Sequence, residues 1–280
     1  MSPTPDVVAD LFERDVPDAP SEPGALESAL RAARDRGRKV LVPYVTAGLS
    51  DDWTEVVRAV AAAGADAVEI GVPFSDPVMD GPVIQEASTK ALARGMDPAS
   101  ALDELATLDA GIPVAVMTYY NLVFRFGLDR FAETANRCGV AGAILPDLPL
   151  EEAGPWCAAA DANGVETVLL AAPTGDDARL ARVCARARGF VYGVGLLGVT
   201  GERETLAATA TETARRLKTM TDKPVLVGVG ISTPDQAREV SRVSDGVVVG
   251  SALIRRLLEG GGPEAAAEFV GALRAGLDAG

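Results

Sequence analysis

The sequence contains no histidine in 280 residues. A Ser-His-Asp triad, a Cys-His dyad and a zinc ion held by three histidines all need imidazole, so these sites are excluded. Cysteine is also scarce, and the wide spacing of Cys138, Cys157 and Cys184 fits neither a disulfide framework nor a zinc knuckle. We therefore expect free thiols in a reducing cytoplasm, and we predict neither a metal nor a cofactor.

Positive charge and long apolar runs are lacking as well. Twenty-six basic residues against 40 acidic ones give a net charge of -14, whereas nucleic acids and anionic membranes need a cationic face. No run approaches the roughly 18 apolar residues of a membrane span, and the first residues do not have the pattern of a signal peptide. We therefore expect no nucleic acid and no membrane among the partners.

Short apolar runs rich in β-branched residues recur along the chain, and there are eight of them. Most are nearly continuous in apolar character, as expected of parallel strands that are buried on both faces. Before the first run, residues 1–24 are acidic and rich in proline and serine, which predicts a flexible tail. The eight runs are residues 40–46, 67–71, 113–118, 142–145, 167–171, 190–194, 225–229 and 246–249.

Longer amphipathic segments separate these runs and predict helices. Strands alternating with helices over residues 25–280 are typical of a single-domain TIM (β/α)8 barrel, and a doubly wound open sheet is the second interpretation. Segments 25–36 and 99–108 predict extra helices. The other predicted helices are residues 51–63, 83–94, 129–138, 150–163, 176–186, 205–220 and 234–243.

Two carboxylates stand out because catalytic groups of such barrels follow the carboxyl ends of the strands. Glu69 interrupts an apolar run, where burial would raise its pKa toward the value that acid–base chemistry needs. Asp80 ends a loop stiffened by three prolines and a glycine. The alternatives are a core glutamate paired with an arginine, and aspartates, such as Asp76, that only form turns.

Glycines mark the ends of the last three runs, at residues 198–201, 228–232 and 250–252. In this fold, backbone amides of the last loops and a helix N-terminus form the usual phosphate site. A single glycine pair could be ordinary turn chemistry, but three consecutive loops predict that the substrate carries a phosphate. Main-chain dipoles would also let an acidic protein bind an anion.

The positions of the four lysines exclude a Schiff-base aldolase, because its lysine would have to follow a strand. Lys39 and Lys223 precede strands, and Lys90 and Lys218 fall in helical segments. With no histidine, a zinc-dependent aldolase is also disfavoured. Carboxylate acid–base catalysis is what remains.

Six motifs stand out along the chain: EIGVPFSDP at 69–77, DGP at 80–82, MTYYN at 117–121, PDLP at 146–149, GFVY at 189–192 and GVTG at 198–201. They resemble the motifs of tryptophan synthase alpha chains. The resemblance runs from about residue 40 to residue 254, in matching order and spacing. It implies a TIM barrel that cleaves indole-3-glycerol phosphate into indole and glyceraldehyde-3-phosphate.

The resemblance also implies roles for individual residues. Glu69 would be the general acid–base that protonates indole C3 and helps to deprotonate the adjacent side-chain hydroxyl. Asp80 would be the carboxylate near the indole nitrogen and would favour loss of the ring N–H proton. The implied substrate-binding residues are Tyr44, Met117, Tyr192 and Thr200, and the implied phosphate-binding residues are Gly201, Gly230, Gly250 and Ser251.

The same resemblance implies a partner. An alpha subunit passes indole to a pyridoxal-phosphate beta chain in an alpha2-beta2 heterotetramer. The alternatives are a stand-alone indole-3-glycerol phosphate lyase that serves another pathway, and a degenerate paralogue that binds the phosphate ligand without turnover. Because Gly193, Gly195 and Gly198 would make the loop after the sixth strand costly to order, we favour an enzyme activated by its partner.

Overall fold

The computed structural model of the protein describes residues 16–195, 203–228 and 230–279. Eight strands form a closed barrel in sequence order, and β1 pairs in parallel with both β2 and β8. The predicted TIM barrel is therefore confirmed. The strands are β1 (Val40–Thr46), β2 (Val68–Gly71), β3 (Val114–Met117), β4 (Val140–Ile144), β5 (Glu166–Ala171), β6 (Val191–Val194), β7 (Val225–Gly228) and β8 (Gly246–Val249).

Within the described ranges, twelve α-helices and one short 3-10 helix surround and close the barrel. All the predicted helices are present, with the segment 150–163 divided into the 3-10 helix Leu150–Glu152 and an α-helix. The α-helices are α1 (Ala25–Asp35), α2 (Trp53–Ala62), α3 (Pro82–Ala93), α4 (Pro98–Leu105), α5 (Tyr120–Phe126), α6 (Leu128–Arg137), α7 (Gly154–Ala162), α8 (Asp177–Arg186), α9 (Arg203–Lys218), α10 (Pro234–Ser241), α11 (Ser251–Leu258) and α12 (Pro263–Asp278).

The structure differs from the expectation at a few segment boundaries. Strands β4 and β5 begin before the predicted runs, at Val140 and Glu166. The helices α5 and α12 were not predicted, and of α11 only the start, directly after the eighth run, was expected. Val229, the last residue of the predicted seventh strand, lies outside the described residues.

Helix α1 closes the amino-terminal end of the barrel. Its side chains Leu26, Leu30 and Ala33 pack in one buried cluster with the inward-facing residues of the strands. The buried carboxylate of Glu166 caps this helix, because it accepts the backbone N–H of Leu26 at 2.7 Å and that of Glu27 at 3.1 Å. Among the described residues, α1 covers the amino-terminal end of the barrel, so we expect a substrate to enter from the carboxyl ends of the strands.

The segment before α1 can be compared with the predicted tail of residues 1–24. Residues 16–24 contain no helix or strand, although Val16 packs against the core. Residues 1–15 lie outside the described part, so the division at residue 24 stays a prediction.

All three cysteines are buried and free. No helix in the described ranges is long and apolar enough to cross a membrane.

Candidate active site

Glu69 lies on β2 and faces the barrel interior. It pairs in register with Tyr44 on β1 and with Ala115 on β3, and Ala115 belongs to the interior cluster. The side chain is 1% exposed, and its Oε2 atom has no hydrogen-bond partner in the described structure. Burial, together with the nearby charge of Asp80, raises the pKa of Glu69 to about 8.

No arginine or lysine in the described ranges forms an ion pair with Glu69. The described residues therefore do not support the alternative of a core glutamate that is paired with an arginine. A buried carboxyl group without a cationic partner is held in its neutral form near pH 7 and can donate a proton.

Asp80 lies near the end of the loop of residues 72–81, which joins β2 to α3. Within that loop its backbone N–H donates to the carbonyl of Pro77 at 3.1 Å. The Tyr119 hydroxyl donates to its Oδ2 atom at 3.1 Å. Partial burial raises the pKa of Asp80 to about 6, and the hydrogen bond from Tyr119 opposes this rise. Asp76, in contrast, is exposed, as expected of a residue that forms a turn.

The predicted substrate-binding side chains Tyr44, Tyr192 and Met117 surround the same end of the barrel. Both tyrosines are largely buried, and burial raises the pKa of each phenol far above its usual value, so both stay neutral. The charges of Glu69 and Asp80 add to the rise for both tyrosines. Met117, at the end of β3, packs against both the interior cluster and the cluster that contains Tyr44. The predicted carboxylates and pocket residues therefore converge.

The predicted phosphate-binding residues are only partly described. Gly250 follows β8 and directly precedes α11, whose first residue is the exposed Ser251. A β-carbon on Gly250 would lie 3.4 Å from the Tyr44 Cβ atom, which places this helix terminus beside the pocket. Gly230 follows β7 with a φ of +57°, in the left-handed region that favours glycine. Thr200 and Gly201 lie outside the described residues.

The exclusion of an imine-forming lysine agrees with the structure. The Nζ atom of Lys39 donates to the carbonyl of Ser244, and that of Lys223 donates to three carbonyls at the end of α8. The other two lysines form ion pairs, Lys218 with Asp245 and Lys90 with Glu86. All four ammonium groups are therefore engaged away from Glu69.

Sequence reasoning missed two residues that organise the site. Tyr119 contacts Asp80, as described above, and its oxygen also accepts the Met79 N–H at 2.9 Å. The Asp147 carboxylate accepts the N–H of Tyr120, the first residue of α5, at 2.8 Å. Both lie in the motifs at 117–121 and 146–149, and a polar residue just after a buried strand was the available signal.

The geometry agrees with comparisons to known proteins. Residues 30–273 match the family model described as the tryptophan synthase alpha chain. The chain belongs to this family. It is 44% identical to the tryptophan synthase alpha chain of Streptomyces coelicolor over 256 residues, which cover 90% of this chain and 94% of that one. It is 45% identical to that of Methanosarcina mazei over 230 residues, 81% and 84% of the two chains.

Solved structures agree with the family assignment. A chain of tryptophan synthase from Mycobacterium tuberculosis superposes with a TM-score of 0.84 at 37% identity, covering 91% of this chain and 99% of that one. The tryptophan synthase alpha subunit from Legionella pneumophila superposes with a TM-score of 0.81 at 31% identity, covering 92% and 100%.

Membership in the tryptophan synthase alpha chain family defines the activity. The protein is a carbon–carbon lyase of tryptophan biosynthesis that cleaves indole-3-glycerol phosphate to indole and glyceraldehyde-3-phosphate. This confirms the reaction expected from the motifs. Nothing in the comparisons favours the stand-alone lyase of another pathway.

Proposed function

We propose that Glu69 and Asp80 share the proton transfers of the cleavage and begin in opposite protonation states. The observation that carries the proposal is the pair of carboxyl groups at the open end of the barrel, with pKa values of about 8 and about 6. Near pH 7, Glu69 is then mostly protonated and Asp80 mostly ionised. Environments that push two pKa values apart are typical of an acid and a base that act together.

The proton transfers balance with these two groups alone. Glu69 gives its proton to indole C3 while Asp80 takes the ring N–H proton, which produces an indolenine. The ionised Glu69 then takes the proton of the side-chain hydroxyl next to C3. The bond from C3 to that carbon breaks, its electron pair returns to the ring, and the nitrogen regains a proton from Asp80. The products are indole and an aldehyde, and both carboxyls regain their starting states.

The phosphate of the substrate would lie at the amino terminus of α11. Gly250 and Ser251 present backbone amides at this terminus, and the helix dipole favours an anion there. Gly230, at the end of the neighbouring strand β7, has no side chain and would also present its backbone to the phosphate. We assign Thr200 and Gly201 to the same ligand because of their motif. Tyr44, Met117 and Tyr192 would enclose the indole ring.

The same end of the barrel exposes apolar side chains that fit a partner chain. Val78 and Met79, in the loop after β2, are 81% and 52% exposed, and Phe124 on α5 is 63% exposed. We name these three residues the docking surface. Exposed apolar groups next to an active site are typical of an interaction site. The occupant that we propose is a tryptophan synthase beta chain, in an alpha2-beta2 heterotetramer.

Two further assignments are part of the proposal. Three buried, free cysteines support a reducing compartment, and we assign the protein to the cytoplasm. We also divide the chain into a tail of residues 1–24 and a catalytic barrel of residues 25–280. The start of α1 at Ala25 supports this division.

Kinetics with purified chains test the catalytic pair. Glu69→Gln and Asp80→Asn should each lower the rate of indole release at least 100-fold, because general acid–base groups typically contribute factors of about 10² to 10⁴. The matched controls are Glu86→Gln on α3 and Asp76→Asn in the same loop as Asp80, since both side chains are exposed. A Glu69→Gln enzyme that kept more than a tenth of the wild-type rate would overturn the proposal.

The same assay tests the partner. We expect slow indole release by the chain alone and at least a tenfold rise when a cognate beta chain is added. Val78→Ser combined with Phe124→Ser should remove most of this rise and leave the rate of the isolated chain intact. Asp35→Ser, at the closed end of the barrel, is the control. Rapid turnover without any response to the beta chain would instead support the stand-alone lyase.

A further inference from the structure

Tyr119 joins the two ends of the loop that carries Asp80. Its ring packs against Phe74 near the start of the loop, with the ring centroids 5.0 Å apart. Its hydroxyl group meets Met79 and Asp80 at the end of the loop, at 2.9 Å and 3.1 Å. Tyr119 is itself buried and directly precedes α5, whose first N–H is held by Asp147. One side chain therefore ties this loop to a fixed point at the end of β3.

The two hydrogen bonds of the Tyr119 hydroxyl have a fixed direction. A backbone N–H can only donate, so the Met79 N–H uses a lone pair of the phenol oxygen. The phenol hydrogen is then available for the Oδ2 atom of Asp80. An ionised carboxylate accepts this hydrogen, whereas a proton on Oδ2 would point at the phenol hydrogen. A neutral carboxyl group protonated on Oδ1 would also accept this hydrogen, but the bond to a carboxylate is stronger, so the arrangement favours the ionised form of Asp80.

The other titratable groups that face Asp80 provide no charge that stabilises its ionised form. Glu69 lies on β2, Tyr44 on β1 and Tyr192 on β6, and each interacts electrostatically with Asp80. All three are acids, so a charge on any of them disfavours a charge on Asp80. Asp147 adds a further negative charge near Tyr119. No arginine or lysine forms an ion pair with Asp80 in the described ranges.

We propose that Tyr119 is a positioning residue, which holds the Asp80 carboxylate ionised and fixes the loop of residues 72–81 so that this carboxylate can receive the indole N–H. This inference rests on the role of Asp80 proposed above. Tyr119 touches no reacting atom in this scheme and acts only through Asp80. Loss of the Tyr119 hydroxyl group should therefore shift the pH dependence of the reaction, in addition to lowering its rate.

The test compares Tyr119→Phe with Tyr120→Phe. The first variant keeps the ring that packs on Phe74 and loses only the hydroxyl. The second removes a neighbouring hydroxyl that makes no hydrogen bond with the described residues, so it is a matched control. We expect the acid limb of kcat/KM for Tyr119→Phe to move up by about half to one pH unit. The rate loss should then be about two- to sixfold at pH 6 and less than about twofold at pH 8, with Tyr120→Phe unchanged.

A second measurement does not depend on catalysis. With ¹³C-labelled aspartate, the Asp80 carboxyl signal is identified by its absence from Asp80→Asn, and it is titrated in the wild type and in Tyr119→Phe. The proposal expects a higher midpoint in the variant. An unchanged midpoint, or a uniform loss of rate with an unmoved acid limb, would overturn it. If the wild type released no indole, the proposed function would fail, and the titration would still decide whether Tyr119 controls Asp80.

Discussion

A β-carbon placed on Gly71 would lie 1.8 Å from the Oη atom of Tyr44. The last residue of β2 therefore has to be glycine for the Tyr44 ring to lie across the mouth of the barrel. A second pair repeats this relationship, since a β-carbon on Gly228 would lie 2.6 Å from the Tyr192 Oη atom. The glycines at these two strand ends make room for the phenol groups that line the site.

The first prediction concerns Gly71. In Gly71→Ala, the new methyl group should displace the Tyr44 ring, lower kcat/KM at least tenfold and destabilise the fold by about 1–3 kcal/mol through overpacking. Kinetics and urea unfolding measure the two effects. Gly271→Ala, inside α12 with no atom within 4 Å of the new methyl, is the control and should be neutral or stabilising. A Gly71→Ala enzyme with normal kinetics would show that the position of Tyr44 does not matter.

The second prediction concerns the pH profile of the wild-type enzyme. Asp80 has to be ionised and Glu69 protonated at the start of the cleavage, so kcat/KM should be bell-shaped. The acid and basic limbs should have apparent pKa values near 6 and 8. These apparent values belong to the interacting pair rather than to either residue alone. Steady-state rates between pH 5 and pH 9.5 measure this. A profile that is flat from pH 5 to pH 7 would contradict the role of Asp80.

The third prediction concerns stability. The pKa of Glu69 rises from its ordinary value of 4.5 to about 8 on folding. Between these values the folded chain holds a proton that the unfolded chain has released, so stability falls as the pH rises through this window. Glu69→Gln should therefore be more stable than the wild type at neutral pH, by up to a few kcal/mol, although it is inactive.

Thermal unfolding across pH measures this effect. The difference in Tm between Glu69→Gln and the wild type should be near zero at pH 4, grow with pH and level off above about pH 8. Asp80→Asn should give a smaller difference, because the pKa of Asp80 rises only to about 6. A difference that did not depend on pH would mean that Glu69 is not protonated in the folded enzyme.

The fourth prediction concerns the phosphate. Gly250→Asp puts a negative charge at the amino terminus of α11, where aspartate is favourable for the helix but repels an anion. The variant should fold, raise KM at least tenfold and lose the thermal protection that glycerol phosphate gives the wild type. Gly250→Asn, with similar bulk and no charge, should have a smaller effect. Equal effects of the two variants would assign the loss to bulk alone.

Much of the fold and the main candidate residues could be predicted because their signals are local. Eight apolar runs gave the strand count, and a charged residue inside the second run marked Glu69. The absence of histidine and the positions of four lysines narrowed the chemistry to carboxylates. Helix α5 was missed because its seven residues are too few to show a helical period. Helix α12 contains Gly271 and Gly276, which lower its helix propensity, and Gly276 is needed for close packing on Pro234 of α10.

The contact between Tyr119 and Asp80 could not be predicted from either residue alone. The two lie 39 positions apart on loops that follow neighbouring strands, and only the register of β2 with β3 brings them together. Which of two adjacent tyrosines turns toward the site is likewise a matter of packing. Glu166 is a similar case, since a glutamate at the start of a strand gives no sign that it caps a distant helix.

The cap that Glu166 provides has a consequence for how the chain is made. Helix α1 leaves the ribosome first among the described helices, but the carboxylate that caps it follows 140 residues later. Its apolar side chains belong to the interior cluster, and the last strand to contribute to that cluster is β8, through Val248. Until then Leu26 and Leu30 have only part of their native contacts, and exposed apolar groups of this kind promote aggregation of nascent chains. Helix α1 can therefore close the amino-terminal end of the barrel only when synthesis of the chain is nearly complete.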